Sequence, residues 1–196
     1  MNNRRISPVG CGLVCSAMVC SVMLCASAFG MDSDGRPDVK LVPPPKEIQL
    51  REGRFRVGPK TKIFVLLGHQ SEDRIAAETL AEEVADQSGL NLNILGMNAK
   101  GKAVEGAIVL ARLQDPRVRR FLARNGLSAG EVVGEGGYLL FSDRSHLIVA
   151  ANTGEGLFYG VQTLRQLLRP AGKGLVCPAI GIRDWPGLEI PQLAKR

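Results

Sequence analysis

The sequence predicts an α+β domain with a mostly antiparallel sheet and helices packed on one face. Strand-length apolar runs, bounded by Gly, Pro and polar turn residues, recur along the chain. Three longer stretches repeat apolar residues every three or four positions, the spacing of one helix face. Their order is strands, helix, strands, helix, hairpin, helix, strand, which gives an α+β arrangement.

The first segment stands apart from this pattern. "MNNRRISPVGCGLVCSAMVCSVMLCASAFG" opens with Arg4 and Arg5, carries no acidic residue, and runs apolar from Val9 to Cys25 before Ala26-Ser27-Ala28. A basic start, an apolar stretch and a small-x-small site make residues 1–28 a signal peptide, cleaved after Ala28 and directing export to the periplasm or outside the cell. The run falls short of the roughly 20 apolar residues of a membrane span. Lipid attachment at Cys25 is disfavoured, because Val22-Met23-Leu24 lacks the small residues that should precede such a cysteine.

Export changes the totals. The whole chain has 196 residues and a formal charge of +6; without Arg4 and Arg5, 23 basic residues face 19 acidic ones, leaving +4. A weakly basic exported protein is a poor candidate for a nucleic-acid partner. Four of five cysteines, Cys11, Cys15, Cys20 and Cys25, lie in the leader. Cys177 alone forms no internal disulfide and no zinc site, so the fold must rest on its apolar core.

The remaining elements follow in order. Residues 29–38 are polar with Gly35 and Pro37, a disordered lead-in. The domain spans 39–186. Pro43-Pro44-Pro45 stays outside any sheet ladder. "EIQLREGRFRV" sets Ile48 and Leu50 against Phe55 and Val57 across Glu52-Gly53, a hairpin pattern. "KIFVLL" is dense enough for a strand covered on both faces. "SEDRIAAETLAEEVADQSGL" is a helix capped by Ser71, with Glu72 and Asp73 at its positive end, Ala76, Leu80 and Val84 inward, and Gly89 as its stop. Strands follow at "LNLNIL" and "GAIVLA". "DPRVRRFLARNG" makes a second helix, with Asp115 as cap, Pro116 at its first position and Gly126 at its end. Its Arg117, Arg119, Arg120 and Arg124 read as a solvated face.

"GYLLFSDRSHLIVAANTGEGLFYGVQTLRQLLRP" carries two strands joined at Ser142–Ser145, then a helix capped by Thr153. Leu157, Val161, Leu164 and Leu168 form its inner face. Gly156 and Gly160 each cost about 1 kcal/mol of helix propensity relative to alanine, and what they allow is close approach to a neighbouring surface. "LVCPAIGIRDWPGLEI" closes with an apolar strand, in which Pro178 marks an edge or an irregular segment.

Chemistry is hard to find. His69 and His146 lack metal-ligand spacing. The "GEGG" at 134–137 and "GEGLFYG" at 154–160 match neither a P-loop nor a dinucleotide fingerprint, and no G-x-S-x-G elbow exists. Glu82, Glu83, Glu131, Glu135 and Asp184 are carboxylates without an evident apolar surround. The sequence therefore nominates no catalytic, cofactor-binding or metal-ligating residue.

The residues nevertheless resemble a known family. "LVPPPKEIQLREGRFRV", "AAETLAEEV", the run through Gly156-Leu157-Phe158-Tyr159-Gly160-Val161-Gln162-Thr163-Leu164, and "IGIRDWP" are similar to the N-terminal domain of glycoside hydrolase family 20, the β-N-acetylhexosaminidases. The resemblance implies an accessory domain beside a catalytic (β/α)8 barrel, in which an Asp-Glu pair works with the substrate's own acetamido group. Such a barrel needs about 250 residues, whereas ten follow Pro186. "GLEIPQLAKR" replaces the family's Arg-Gly pair, so 187–196 reads as a truncated tail and no catalytic residue carries over. The expected partner is a barrel in the parent enzyme or on a separate chain. The alternatives are a stand-alone secreted module binding a carbohydrate or protein, and the equivalent domain of an α-glucuronidase or a hyaluronidase-like glycosidase.

Overall fold

In the computed structural model, residues 39–66, 70–97, 105–130 and 134–187 are described. The segments expected to be a signal peptide (1–28) and a lead-in (29–38), with His69, Glu131 and 188–196, lie outside the described residues. Strands β1 (Glu47–Val57), β2 (Lys62–Leu66), β3 (Asn93–Met97), β4 (Ala107–Arg112), β5 (Tyr138–Ser142), β6 (His146–Ala151), β7 (Arg169–Ala171) and β8 (Gly174–Asp184) join helices α1 (Gln70–Ser88), α2 (Pro116–Arg124) and α3 (Gly154–Leu167). The sheet order is β1-β8-β5-β6-β4-β2-β3, with β7 on β8.

The α+β class holds, and four antiparallel pairings outnumber three parallel ones. The parallel pairs gather at one end, where β2, α1 and β3 form a crossover unit with both strands adjacent. The helices divide between the two faces. Helices α1 and α3 cover one with Ala76, Leu80, Val84, Leu157, Val161 and Leu164, all at most 1 % exposed. Helix α2 covers the other, where Leu122 and Phe121 meet Leu139, Phe141 and Ile148. The sheet explains the division. In β4 and β5 every residue is buried, so both faces carry apolar side chains and both need cover.

The expected hairpin in "EIQLREGRFRV" is instead one strand. Both halves of β1 bond to β8, and the register jumps from Leu50↔Ile180 to Arg54↔Pro178. Residues 51–53 thus bulge opposite Ala179, with Gly53 at φ +113°, which glycine adopts without strain. The long β8 offers each half a ladder, so a turn between them is unnecessary. Pro178 falls where its missing N–H is harmless. On one side it pairs with Arg54 at the end of the bulge, and on the other it lies between the β7 ladder ending at Val176 and the β5 ladder starting at Ile180. The segment is irregular, although β8 itself is central.

Most capping expectations are met. Asp115 Oδ1 accepts from the Arg117 amide at 2.8 Å, and Thr153 Oγ1 accepts from the Gly156 amide at 3.1 Å. Gly89 and Gly126 both have positive φ just beyond their helices. Ser71 does not cap α1, which already includes Gln70. In β2, Ile63 and Val65 are buried while Phe64 and Leu66 are only partly covered, so one of its two faces is sealed.

Candidate functional site

The ends of β4, β6 and β8 lie along one rim of the sheet, with the first turns of α1 and α3 beside them. The order here comes from Arg112, the last residue of β4. Its guanidinium is 6 % exposed and lies against Asp73, which is fully buried in the first turn of α1. Arg112 Nε donates to Asp73 Oδ1 at 2.9 Å and Oδ2 at 3.1 Å, and Nη2 reaches Oδ1 at 2.6 Å. Nη1 donates to the Asn152 carbonyl at 2.8 Å, and Nη2 also meets Glu72 Oε2 at 3.1 Å. One side chain therefore ties the sheet to α1 and to the loop entering α3. A forked donor suits this role because it serves several acceptors at fixed angles.

Above this anchor, Glu72, Ile75, Gly154, Glu155, Phe158 and Tyr159 line an open cavity of about 330 Å³. Gly154 must be small, since a Cβ there would stand 2.8 Å from Glu72 Cβ. The polar groups are largely engaged. Glu155 accepts from the Tyr159 hydroxyl at 2.9 Å, and that carboxylate raises the phenol above its ordinary value. Glu72 and Glu155 both sit at positive helix ends, where carboxylates are favoured. What remains open is apolar: Ile75 is 60 % exposed and Tyr159 43 %.

The same rim is where the chain leaves the domain. A Cβ on Gly136 would lie 2.7 Å from Pro186 Cγ and 3.6 Å from Tyr159 Cε2, so the outgoing segment passes beside α3. Asp184 Oδ1 accepts from the Lys46 amide at 3.2 Å. The Arg183 guanidinium lies 5.5 Å from the centre of the Trp185 ring and pairs with Glu47, fixing the direction of exit.

Gly156 and Gly160 do what their spacing implies. A Cβ on Gly156 would stand 2.5 Å from the Gly137 carbonyl oxygen, and one on Gly160 would stand 2.4 Å from Val149 Cγ1. Tyr138, buried beneath α3, shares a hydrogen bond of 2.6 Å with Thr163 Oγ1, and burial raises its phenol.

The other residues singled out from sequence are scattered. His146 opens β6, with Nδ1 3.3 Å from the Asp143 carboxylate and its ring 5.0 Å from that of Phe121. Asp143 also accepts from the Ser145 and His146 amides, making the turn expected at Ser142–Ser145. Glu83 pairs with Arg165 across α1 and α3, while Glu82 and Glu135 face solvent. Cys177 is fully buried, and burial pushes its thiol up to about 12. Among the described residues no group of three His, Cys, Asp or Glu side chains could hold a metal ion. Sequence reading missed the Arg112–Asp73 pair. The available signal was an arginine ending an otherwise apolar strand, "AIVLAR".

Comparison with known proteins agrees with this architecture. Residues 38–185 match the family described as glycosyl hydrolase family 20, domain 2. A Beta-hexosaminidase of Porphyromonas gingivalis is 25 % identical over 156 residues, covering 76 % of this chain and 17 % of that protein. The structure of the GH20 β-N-acetylhexosaminidase from Streptomyces coelicolor A3(2) superposes with a TM-score of 0.53 at 27 % identity, covering 72 % of this chain and 25 % of that one. The Streptomyces plicatus N-acetyl-β-hexosaminidase in complex with Thio-NAglucal gives a TM-score of 0.52 at 25 % identity, covering 72 % and 25 %. The chain thus spans a quarter or less of the proteins it resembles.

Proposed function

The chain belongs to glycosyl hydrolase family 20 through that family's domain 2, and from that premise we propose that it is the accessory domain of a β-N-acetylhexosaminidase, presenting its α1–α3 rim to the catalytic barrel. One observation carries the choice of surface. The exposed apolar side chains Ile75 and Tyr159 flank a cavity directly beside Pro186, through which the polypeptide leaves. A domain reached through that exit meets this rim first. Its apolar centre with carboxylates around it has the composition of an interface core and rim.

The chemistry of sugar cleavage then belongs to the barrel. The rim supplies binding and orientation, and the Arg112–Asp73 anchor keeps it rigid. We read residues 1–28 as the export signal of this domain, so that it works outside the cytoplasm. N-terminal sequencing of the exported protein should begin at Phe29, and a mature protein retaining Met1 contradicts that reading.

The accessory role is tested with a family 20 barrel produced without its own domain 2. Titration with the parent chain should show binding, and Ile75→Glu should weaken it at least about tenfold, as for a central interface anchor. The chain alone should not turn over a chromogenic N-acetylglucosaminide. Turnover by the chain alone, or unchanged barrel binding by Ile75→Glu, overturns the proposal.

A further inference from the structure

The opposite rim of the sheet carries a different surface. The bulge in β1 places Gly53 against Arg144 of the turn between β5 and β6. Its Cγ and Nε lie 2.9 Å and 3.0 Å from where a Cβ on Gly53 would sit. The positive φ and the empty Cβ position of Gly53 are thus both used to seat one arginine. Gly53, Arg54, Arg56 and Arg144 line a cavity of about 490 Å³. Arg56 and Arg144 are exposed, and among the described residues no carboxylate lines the cavity. Asp143, next to Arg144, is engaged with the Ser145 and His146 amides.

A second cavity, of about 550 Å³, adjoins the first through Arg56 and is lined also by Lys60 and Glu105. Among the described lining residues, Arg56, Arg144 and Lys60 face one carboxylate, Glu105, along the two adjoining cavities. Guanidinium groups bind carboxylates and sulfates through paired hydrogen bonds. Two cavities sharing one arginine fit a chain of such groups better than a single ion. Among the described residues neither cavity is lined by an aromatic ring, the stacking platform used for nucleic-acid bases.

We propose that this groove binds an anionic polysaccharide, a glycan carrying carboxylate or sulfate groups, with Arg56 and Arg144 as its principal contacts. The site is separate from the docking rim and does not rest on the accessory role.

Titration calorimetry of the full chain with heparin, polygalacturonate, chitohexaose and a single-stranded oligonucleotide tests this. Heparin or polygalacturonate should bind at low salt, weakening as salt screens the exposed charges, and chitohexaose should not bind at the groove. Arg56→Ala with Arg144→Ala should weaken polysaccharide binding about tenfold, as expected when charge-assisted contacts are lost, with an unchanged circular dichroism spectrum and melting temperature. Arg56→Lys with Arg144→Lys should retain most of the binding, and Arg119→Ala with Arg124→Ala on α2 should change it less than about twofold. The proposal is overturned by absence of polysaccharide binding or by tighter binding of the oligonucleotide. Equal losses in the groove and α2 variants overturn it as well.

Discussion

Replacing Asp73 with alanine is the sharpest test of how the rim is held together. Arg112 would lose its contacts at 2.6, 2.9 and 3.1 Å while keeping a side chain only 6 % exposed. It would retain the Asn152 carbonyl at 2.8 Å and Glu72 at 3.1 Å, the latter on a side chain 69 % exposed. Removing one partner of a buried pair costs about 3–5 kcal/mol, and the two surviving acceptors place this site near the lower end, about 3 kcal/mol. For a chain of this size, that lowers the melting temperature by about 6–12 °C. Urea unfolding followed by circular dichroism should show a lower midpoint at unchanged slope. Replacing both partners, Asp73→Leu with Arg112→Met, should recover most of the loss, because no buried charge is then left alone. A loss below about 1 kcal/mol for Asp73→Ala would refute the reasoning, as would a double variant less stable than either single.

Two further outcomes follow from the helices. Gly156→Ala should destabilise by about 1–3 kcal/mol despite the better helix propensity of alanine, since the new Cβ would meet a backbone carbonyl; a rise in melting temperature would show that the contact is not tight. Glu83 is held below its usual value of 4.5, first by the Gln87 amide and then by Arg165. A depressed folded value adds stability that is present above about pH 4.5 and lost as the pH falls through the folded value. Glu83→Gln should therefore be less stable than the parent at pH 7 and match it near pH 3 in urea melts; a pH-independent difference would refute this.

Local features were legible because they depend on neighbours in sequence. The caps at Asp115 and Thr153, the stops at Gly89 and Gly126, and the stripes on α1 and α3 all lie within a few residues of their causes. The hairpin expected in β1 failed for the same reason. Gly53 in an alternating run looks the same in a turn and in a bulge, and only the presence of β8 alongside both halves decides between them. Ser71 resembled a cap until the helix was seen to start before it.

The candidate surfaces were less visible. Asp73 read as a carboxylate at a helix start, and nothing nearby in sequence points to Arg112, 39 residues away, as its partner. Arg56 and Arg144 belong to separate elements and share a cavity only because the β5–β6 turn meets β1 at its bulge.

By itself the sequence determined the class of fold, most of the helix ends, the small residues at the α3 contact and the resemblance to a hexosaminidase accessory domain. These are written in periodicity, capping and local spacing, which short-range sterics and burial enforce. Tertiary structure alone decided that α2 covers the second face, that Arg112 and Asp73 anchor one rim, and that basic side chains gather at the other. Those depend on strand order, because pairing across the sheet brings together residues that the chain keeps far apart.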